Sequence, residues 1–419
     1  MSLLIIMSAK EKVVLAYSGG LDTSVAIKWI QENYDYDVVA LTIDLGSEPD
    51  LPAIRQRALD VGAIDAKVVD ARDLFLQYFA FPALQAGAMY EKVYPLATAI
   101  GRPLIAKLLV DVAHEVGAKA VAHGCTGKGN DQVRLDVSVT ALDPDLQIIA
   151  PVREWKLSRP AEIEYARKNN IPIPATVDSP YSTDVNMWGR SIEAGVLEDP
   201  YREPPADVWL WTKNPEDAPD KAEVVEIGFE KGIPISLNGE AMDSVQLVNQ
   251  LNQIGGEHGV GRIDHVENRL VGIKSREIYE APASVLLLQA HQELEDMCLS
   301  RDQARFKATI SAQISEMIYN GLWFSALHQD LRAFVESSQR HVVGSVRLKL
   351  YKGSSMVIGR QSPKSLYRHD LATYDEGDNF DQAAAQGFIK LWGLPLQTQT
   401  RYQLSGGATD LPKLTEAVE

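Results

Sequence analysis

The chain has 419 residues, 45% of them hydrophobic and 23% charged, and its 41 Lys and Arg against 57 Asp and Glu leave a net charge of −16. That composition excludes wholesale disorder, and the acidic surface argues against general binding to nucleic acid or anionic membranes. Two cysteines, Cys125 and Cys298, cannot make a zinc site alone, and their scarcity fits a reducing, cytoplasmic compartment.

The length accommodates two or three domains at roughly 150 residues each. Leu3-Leu4-Ile5-Ile6-Met7 is far short of the ~20 apolar residues of a membrane helix and has no basic flank, so residues 1–11 read as an extension. Lys12 to Tyr17 is an apolar run ending at Ser18-Gly19-Gly20, the pattern of a buried strand and a tight turn. A helix follows from Asp22, with Asp22 and Thr23 as candidate caps. Strands are predicted at 37–43, 66–69, 119–122 and 147–150. Helices are predicted from Pro52 to Gly62 and over 71–86 and 102–116. Repeated βα units imply an α/β fold, a doubly wound, mostly parallel sheet, with ligands beyond the carboxyl ends of its strands. The loops at 18–24, 43–50 and 123–131 fall there.

Ile171-Pro172-Ile173-Pro174 and Ser179-Pro180-Tyr181 cannot lie inside a helix and mark a boundary. This divides the chain into 1–11, a nucleotide domain over 12–172, an α+β domain over 173–370 and a tail over 371–419. In the second domain, 223–229 reads as a strand, and 244–253 and 283–298 as helices. Residues 342–351 and 355–358 flank Gly353 as a β-hairpin. Residues 378–389 read as a detached tail helix, more suited to subunit contact than to catalysis.

Ser18-Gly19-Gly20-Leu21-Asp22-Thr23-Ser24 joins the first strand to the first helix. Glycines let the backbone approach a ligand, the helix start presents free N–H groups, and three hydroxyls add donors, which is chemistry for an oxyanion. Neither a Walker A nor a G-x-G-x-x-G pattern is present. Asp22 is read either as a cap or as a group that reaches a metal through water. His123-Gly124-Cys125-Thr126-Gly127-Lys128-Gly129-Asn130-Asp131-Gln132-Val133-Arg134 is read as a second polar loop. Its mixture of neutral donors, cations and one carboxylate suits a zwitterion. Cys125 reads as a packing residue and His123 as a structural one. Lys128 is left open between pyrophosphate and solvent.

Ala16 to Ser24 resembles the PP-loop of the N-type ATP pyrophosphatases, which cleave ATP between the α and β phosphates. With the second loop, the stretch Tyr90 to Thr98 followed by Arg102-Pro103, the serines Ser182 and Ser191, and the runs Gly259–Arg269 and Lys274–Pro282, the sequence resembles the argininosuccinate synthase family. These enzymes of arginine biosynthesis join citrulline and aspartate using ATP. The resemblance implies that ATP is held by Ala16, Tyr17, Ser18, Gly19, Gly20, Leu21, Asp22, Thr23, Ser24, Thr42 or Ile43, and Gly124. It implies Tyr94, Thr98, Asn130, Arg134, Ser182, Ser191, Glu267 and Tyr279 for citrulline, and Thr126, Asn130 and Asp131 for aspartate. The family often has Ser where Ala99 stands, so that contact is assigned to Thr98.

Asp22, Asn130 and Asp131 are the expected catalytic residues, with Asp131 orienting or deprotonating the aspartate ammonium. Mg²⁺ is expected to accompany the ATP phosphates, with no dedicated metal site in the protein. The expected mechanism is adenylation of the citrulline ureido oxygen, then displacement of AMP by the aspartate amine. The resemblance also implies a homotetramer. A tRNA-thiolating PP-loop enzyme would need RNA contact and a cysteine relay. A nucleotide-binding sensor without turnover would account for the first loop but not the second.

Overall fold

A computed structural model of the protein describes residues 10–47, 50–155, 157–172 and 181–404. Leu3–Met7, Pro174 and Ser179-Pro180 lie outside the described residues. Contacts divide the chain into two units, Met1–Ser365 and Leu366–Glu419.

The first unit opens with β1 (Lys12–Ala16), α1 (Leu21–Tyr34), β2 (Asp37–Asp44), α2 (Leu51–Val61) and β3 (Asp65–Asp70). α3 (Arg72–Phe75) runs through a π-helical turn, Leu76–Ala80, into α4 (Phe81–Ala86). The turn has a covalent cause. Pro82 has no N–H to give, and the N–H before it, on Phe81, reaches back five residues to the Leu76 carbonyl. Then come α5 (Ala97–Val116), β4 (Ala120–Ala122), α6 (Asn130–Leu142), β5 (Gln147–Ile149), α7 (Pro151–Glu154) and α8 (Arg159–Lys168). The five strands pair in parallel in the order β3-β2-β1-β4-β5, the α/β sheet expected.

Strand periodicity decides what covers this sheet. Val13 and Leu15 face one way, onto Ala26, Ile27 and Ile30 of α1, while Val14 faces the other way, onto Leu109, Val110 and Ala113 of α5. Because β1 is central and buried on both faces, it reads as a continuous apolar run.

Three local expectations are corrected. Asp22 does not cap α1: Gly20 is the cap residue and no side chain caps the helix. Asp22 lies inside the first turn, and its carboxylate accepts from Arg159 Nη1 at 2.5 Å. α5 starts at Ala97, not 102: Ala97, Thr98 and Ala99 are small and buried in its first turn. The polar loop after β4 ends at Gly129, so Asn130, Asp131 and Arg134 stand on the first turns of α6.

The rest of the first unit comprises β6 (Ser182–Asn186), β7 (Gly189–Glu193), β8 (Glu223–Glu230), β9 (Ile233–Leu237), β10 (Glu240–Ala241), α9 (Ser244–Glu257), β11 (Arg262–Asn268) and β12 (Lys274–Glu280). These lead to α10 (Pro282–Cys298), α11 (Arg301–Tyr319), α12 (Ala326–Ser338), β13 (Gly344–Tyr351) and β14 (Ser354–Gln361). The predicted hairpin is β13–β14, the edge of the antiparallel sheet β10-β9-β8-β13-β14. A third sheet, β11-β12-β7-β6, is also antiparallel and sets Tyr279 opposite Ser191.

The second unit carries α13 (His369–Ala372), α14 (Gln382–Trp392) and α15 (Leu394–Tyr402). Asp381 caps α14 through the Ala384 N–H. Phe388, Ile389, Leu391 and Trp392 on that helix are exposed, with the Phe388 and Trp392 rings stacked at 5.7 Å.

Candidate active site

The end of β1 delivers the chain into the oxyanion loop. Gly19 has φ +77°, and a Cβ there would meet Ile54 Cγ1 at 2.9 Å, so glycine is required on both counts. The hydroxyls organise the turn: Ser18 Oγ lies 3.2 Å from Thr23 Oγ1 and accepts the Gly20 N–H at 3.4 Å. The buried Tyr17 and Ser24 hydroxyls pair at 2.9 Å. Thr42 donates its hydroxyl to the Tyr17 carbonyl at 2.9 Å, locking β2 to the loop. A cavity of about 550 Å³ opens over this loop. Its lining includes Ala16, Tyr17, Ser18, Gly20, Leu21, Asp22, Thr23, Thr42, Ile43 and Gly124. Gly19 and Ser24 do not line it; Gly19 shapes the turn and Ser24 is fully buried. A Cβ at Gly124 would come within 3.0 Å of Thr23 Cγ2, so the glycine lets the 123–125 backbone close against the loop.

A second, smaller cavity, about 70 Å³, adjoins α6. Tyr94, Thr98, Asn130, Arg134, Ser191, Glu267 and Tyr279 line it. Seven of the eight residues assigned to citrulline thus meet around one cavity, although they come from five separate stretches of chain. Ser182 is the exception and lines the nucleotide cavity. Thr98 Oγ1 lies 3.3 Å from Ser191 Oγ, while Ala99 is packed in the core. Thr126 and Lys128 are exposed and line neither cavity.

Asp131 lines both cavities. Arg102 Nη2 donates to its Oδ2 at 2.7 Å, and Arg134 Nη1 to its Oδ1 at 2.9 Å. Burial pushes the Asp131 carboxyl up, but the two guanidiniums outweigh it and hold the group at about 2. The two guanidiniums favour the ionised carboxylate, a form suited to orienting an ammonium.

Glu267 sits nearly buried at the far side of the second cavity. Its two oxygens accept from the Tyr279 and Tyr319 hydroxyls, each at 2.6 Å. Burial raises its carboxyl, with the two hydroxyls opposing the shift. Tyr319 belongs to none of the sequence motifs, yet it ties the site together. Its hydroxyl accepts from Asn130 Nδ2 at 2.8 Å, its carbonyl accepts from Arg134 Nε at 2.8 Å, and its ring stacks on Tyr90 at 3.6 Å. The Arg134 guanidinium lies 4.6 Å from the ring centre. Nothing marks Tyr319 beyond its place at the end of an amphipathic helix. Arg102 and Asp184 belong to resembling stretches but had no role assigned.

Arg134 keeps one buried nitrogen, Nη2, without a partner. A buried guanidinium N–H left unpaired is costly and fits a site built for a carboxylate. His123 is structural: Nε2 bonds Asp136 Oδ1 at 2.7 Å and Nδ1 accepts the Cys125 N–H at 3.2 Å. Burial pushes the Cys125 thiol up to about 12, so it stays protonated and unreactive.

Residues 12–172 match the family described as the arginosuccinate synthase N-terminal HUP domain, and residues 181–399 match the arginosuccinate synthase C-terminal domain. A curated relative from Oceanobacillus iheyensis, named argininosuccinate synthase, is 58% identical over 97% of both chains. One from Symbiobacterium thermophilum with the same name is 59% identical over 95% of this chain and 99% of its own.

Proposed function

The chain belongs to the argininosuccinate synthase family, and from that premise we propose how its two cavities divide the reaction between them. The enzyme is an ATP-dependent ligase that joins citrulline and aspartate to argininosuccinate with release of AMP and pyrophosphate. ATP enters the larger cavity with its phosphates on the 18–24 loop. Ile43 and the end of β2 lie beside the adenine. Thr42 is occupied with the Tyr17 carbonyl and contributes shape rather than a free donor.

Citrulline occupies the smaller cavity. Arg134, with its spare Nη2, takes the carboxylate, and Glu267 takes the α-ammonium. Thr98, Ser191 and the tyrosines surround the uncharged ureido end. Asp131 and Asn130 orient the aspartate amine at the wall between the cavities.

The observation that carries this reading is the shared wall. Asp131 lines both spaces, so an α-phosphoryl group at the edge of one can meet a ureido oxygen at the edge of the other. The ureido carbon is a poor electrophile, and adenylation turns its oxygen into a leaving group that the aspartate amine displaces. Holding the reactants in line across that wall supplies proximity.

Among the described residues, no group of three or more His, Cys, Asp or Glu is placed to hold an ion. Mg²⁺ typically binds substrate phosphates with one or two carboxylates. Asp22 on the cavity wall is the side chain that would hold it. Bound Mg²⁺ supplies neutralisation of phosphate charge.

No described helix is long and apolar enough to cross a membrane. Cytoplasmic residence is inferred from cysteine usage. The exposed apolar side chains of α14 support self-association into a homotetramer, which light scattering would test. The central experiment follows AMP and pyrophosphate with citrulline, aspartate or both. Sustained AMP and pyrophosphate only with both amino acids supports the reading. ADP and phosphate, or AMP release indifferent to both, refutes it.

A further inference from the structure

Arg102 lies in the first half of α5, and the reading above gives it no part in the reaction. Its Nη2 donates to Asp131 at 2.7 Å and also to Asp184 on β6. Its Nε is buried with no hydrogen-bond partner. Arg134 repeats the pattern: one nitrogen grips the other oxygen of Asp131, and one buried nitrogen is unpartnered. The two arginines therefore flank one carboxylate, each with a donor to spare. Arg134 lines the citrulline cavity and Arg102 lines the nucleotide cavity.

Two arginines line the nucleotide cavity. Arg159 is bound to Asp22 and Glu162 beside the phosphate loop. Arg102 lines the same cavity and is held by Asp131. The phosphate that must reach the wall is the α-phosphate, because it is the one transferred to the citrulline oxygen.

We propose that Arg102 is a catalytic residue of adenylation, its guanidinium charge set against the non-bridging oxygens of the α-phosphoryl group during transfer. This rests on the assignment of the two cavities above. In the step, a lone pair of the ureido oxygen forms the new O–P bond. The bond from the α-phosphorus to the α,β-bridging oxygen breaks, and its electron pair leaves with pyrophosphate. The resulting positive charge stays on the ureido nitrogens until aspartate attacks and AMP departs. Charge on the equatorial phosphoryl oxygens is what a fixed donor stabilises most.

The setting suits that role. Asp131 and Asp184, on different elements, hold the guanidinium from one nitrogen, so its charge is fixed in place before substrate arrives. Burial opposes the charge on Arg102, but the two carboxylates outweigh it and raise its pKa, so it stays cationic throughout. A planar, multi-donor guanidinium matches phosphoryl oxygens in a way that a lysine point charge does not.

The test uses the full-length enzyme with Arg102→Gln and Arg102→Lys, each also made with Asp184→Asn to avoid stranding that carboxylate. Rapid quench measures the citrulline-dependent pyrophosphate burst at saturating ATP. Equilibrium titration with α,β-methylene-ATP measures nucleotide binding. The Gln variant is expected to lose ~10²–10³-fold in burst rate, the loss found when a single oxyanion donor is removed. Its affinity for the analogue should stay within ~3-fold, the mark of an interaction made only in the transition state. The Lys variant keeps the charge and both carboxylate partners, so it reports even if Gln prevents folding, and its burst should be slowed at least ~10-fold. A burst at the wild-type rate in either variant, or a loss confined to analogue affinity, overturns the proposal. A wild-type enzyme with no citrulline-dependent burst overturns the cavity assignment itself, before any variant is made.

Discussion

Replacing Tyr319 by Phe removes one hydroxyl and leaves the ring, so the stack on Tyr90 and the contact with the Arg134 guanidinium persist. The hydroxyl donates to Glu267 Oε1 at 2.6 Å and accepts from Asn130 Nδ2 at 2.8 Å. Stranding the buried Asn130 amide costs ~1–3 kcal/mol, and a hydrogen bond to a charged group is worth ~1.5–3 kcal/mol. Allowing for partial relaxation, stability should fall by ~2–4 kcal/mol. Part of that loss is specific to citrulline, because Glu267 and Asn130 lose the group that fixes their geometry. We expect the citrulline KM to rise ~10–100-fold, or ~1.4–2.7 kcal/mol, with the ATP KM within ~2-fold. Urea unfolding and steady-state kinetics with each substrate varied would measure both. An unchanged citrulline KM in a destabilised protein would mean that Tyr319 only packs. An equal rise for ATP would mean that the two cavities are not separable.

Glu280 is fully buried and accepts from Arg190 Nη1 at 2.7 Å, the backbone N–H of Leu210, Trp211 and Thr212 at 2.8–3.1 Å, and the Thr212 hydroxyl at 2.7 Å. Glu280→Gln leaves Arg190 buried without its counter-ion and should cost ~3–5 kcal/mol, read from the urea midpoint. Gly124→Ala puts a methyl 3.0 Å from Thr23 Cγ2 at the cavity wall. It should raise the ATP KM ~5–10-fold and spare the citrulline KM, which substrate-varied kinetics would show. His328 is 1% exposed; burial, with Arg332 adding to it, lowers its imidazole to about 4. The unfolded chain binds that proton near pH 6.5, so the stabilisation is full above 6.5 and is lost as pH falls toward 4, by ~3 kcal/mol. His328→Phe, which keeps an aromatic ring against Trp323, should flatten thermal stability across that window. A slope as steep as the wild type's would point to another group.

Much of the fold is legible where the signal is local. The apolar run Lys12 to Tyr17, the glycines after it and the caps at Gly62 and Gly117 follow from strand periodicity and allowed backbone angles, and they appear as read. The hairpins β6–β7 and β11–β12 were missed because their exposed and buried positions alternate weakly and no Asn-Gly turn announces them. The start of α6, Asn130–Arg134, reads as loop because three glycines and a run of polar residues precede and conceal it.

The residue types able to hold a nucleotide and a zwitterion could be picked out along the chain, since hydroxyls, glycine turns and a cation near a carboxylate are properties of short stretches. Which of them share a cavity could not. Asn130 and Tyr319 are 189 positions apart in the chain, and Arg102 and Asp184 are 82 apart. Their contacts carry no periodic signature. They arise because α5, α6, the end of α11 and the β6–β7 and β11–β12 hairpins converge where the parallel sheet ends. A polar side chain becomes catalytic, structural or merely solvated according to which buried partners that convergence leaves it, and only the tertiary structure decides that.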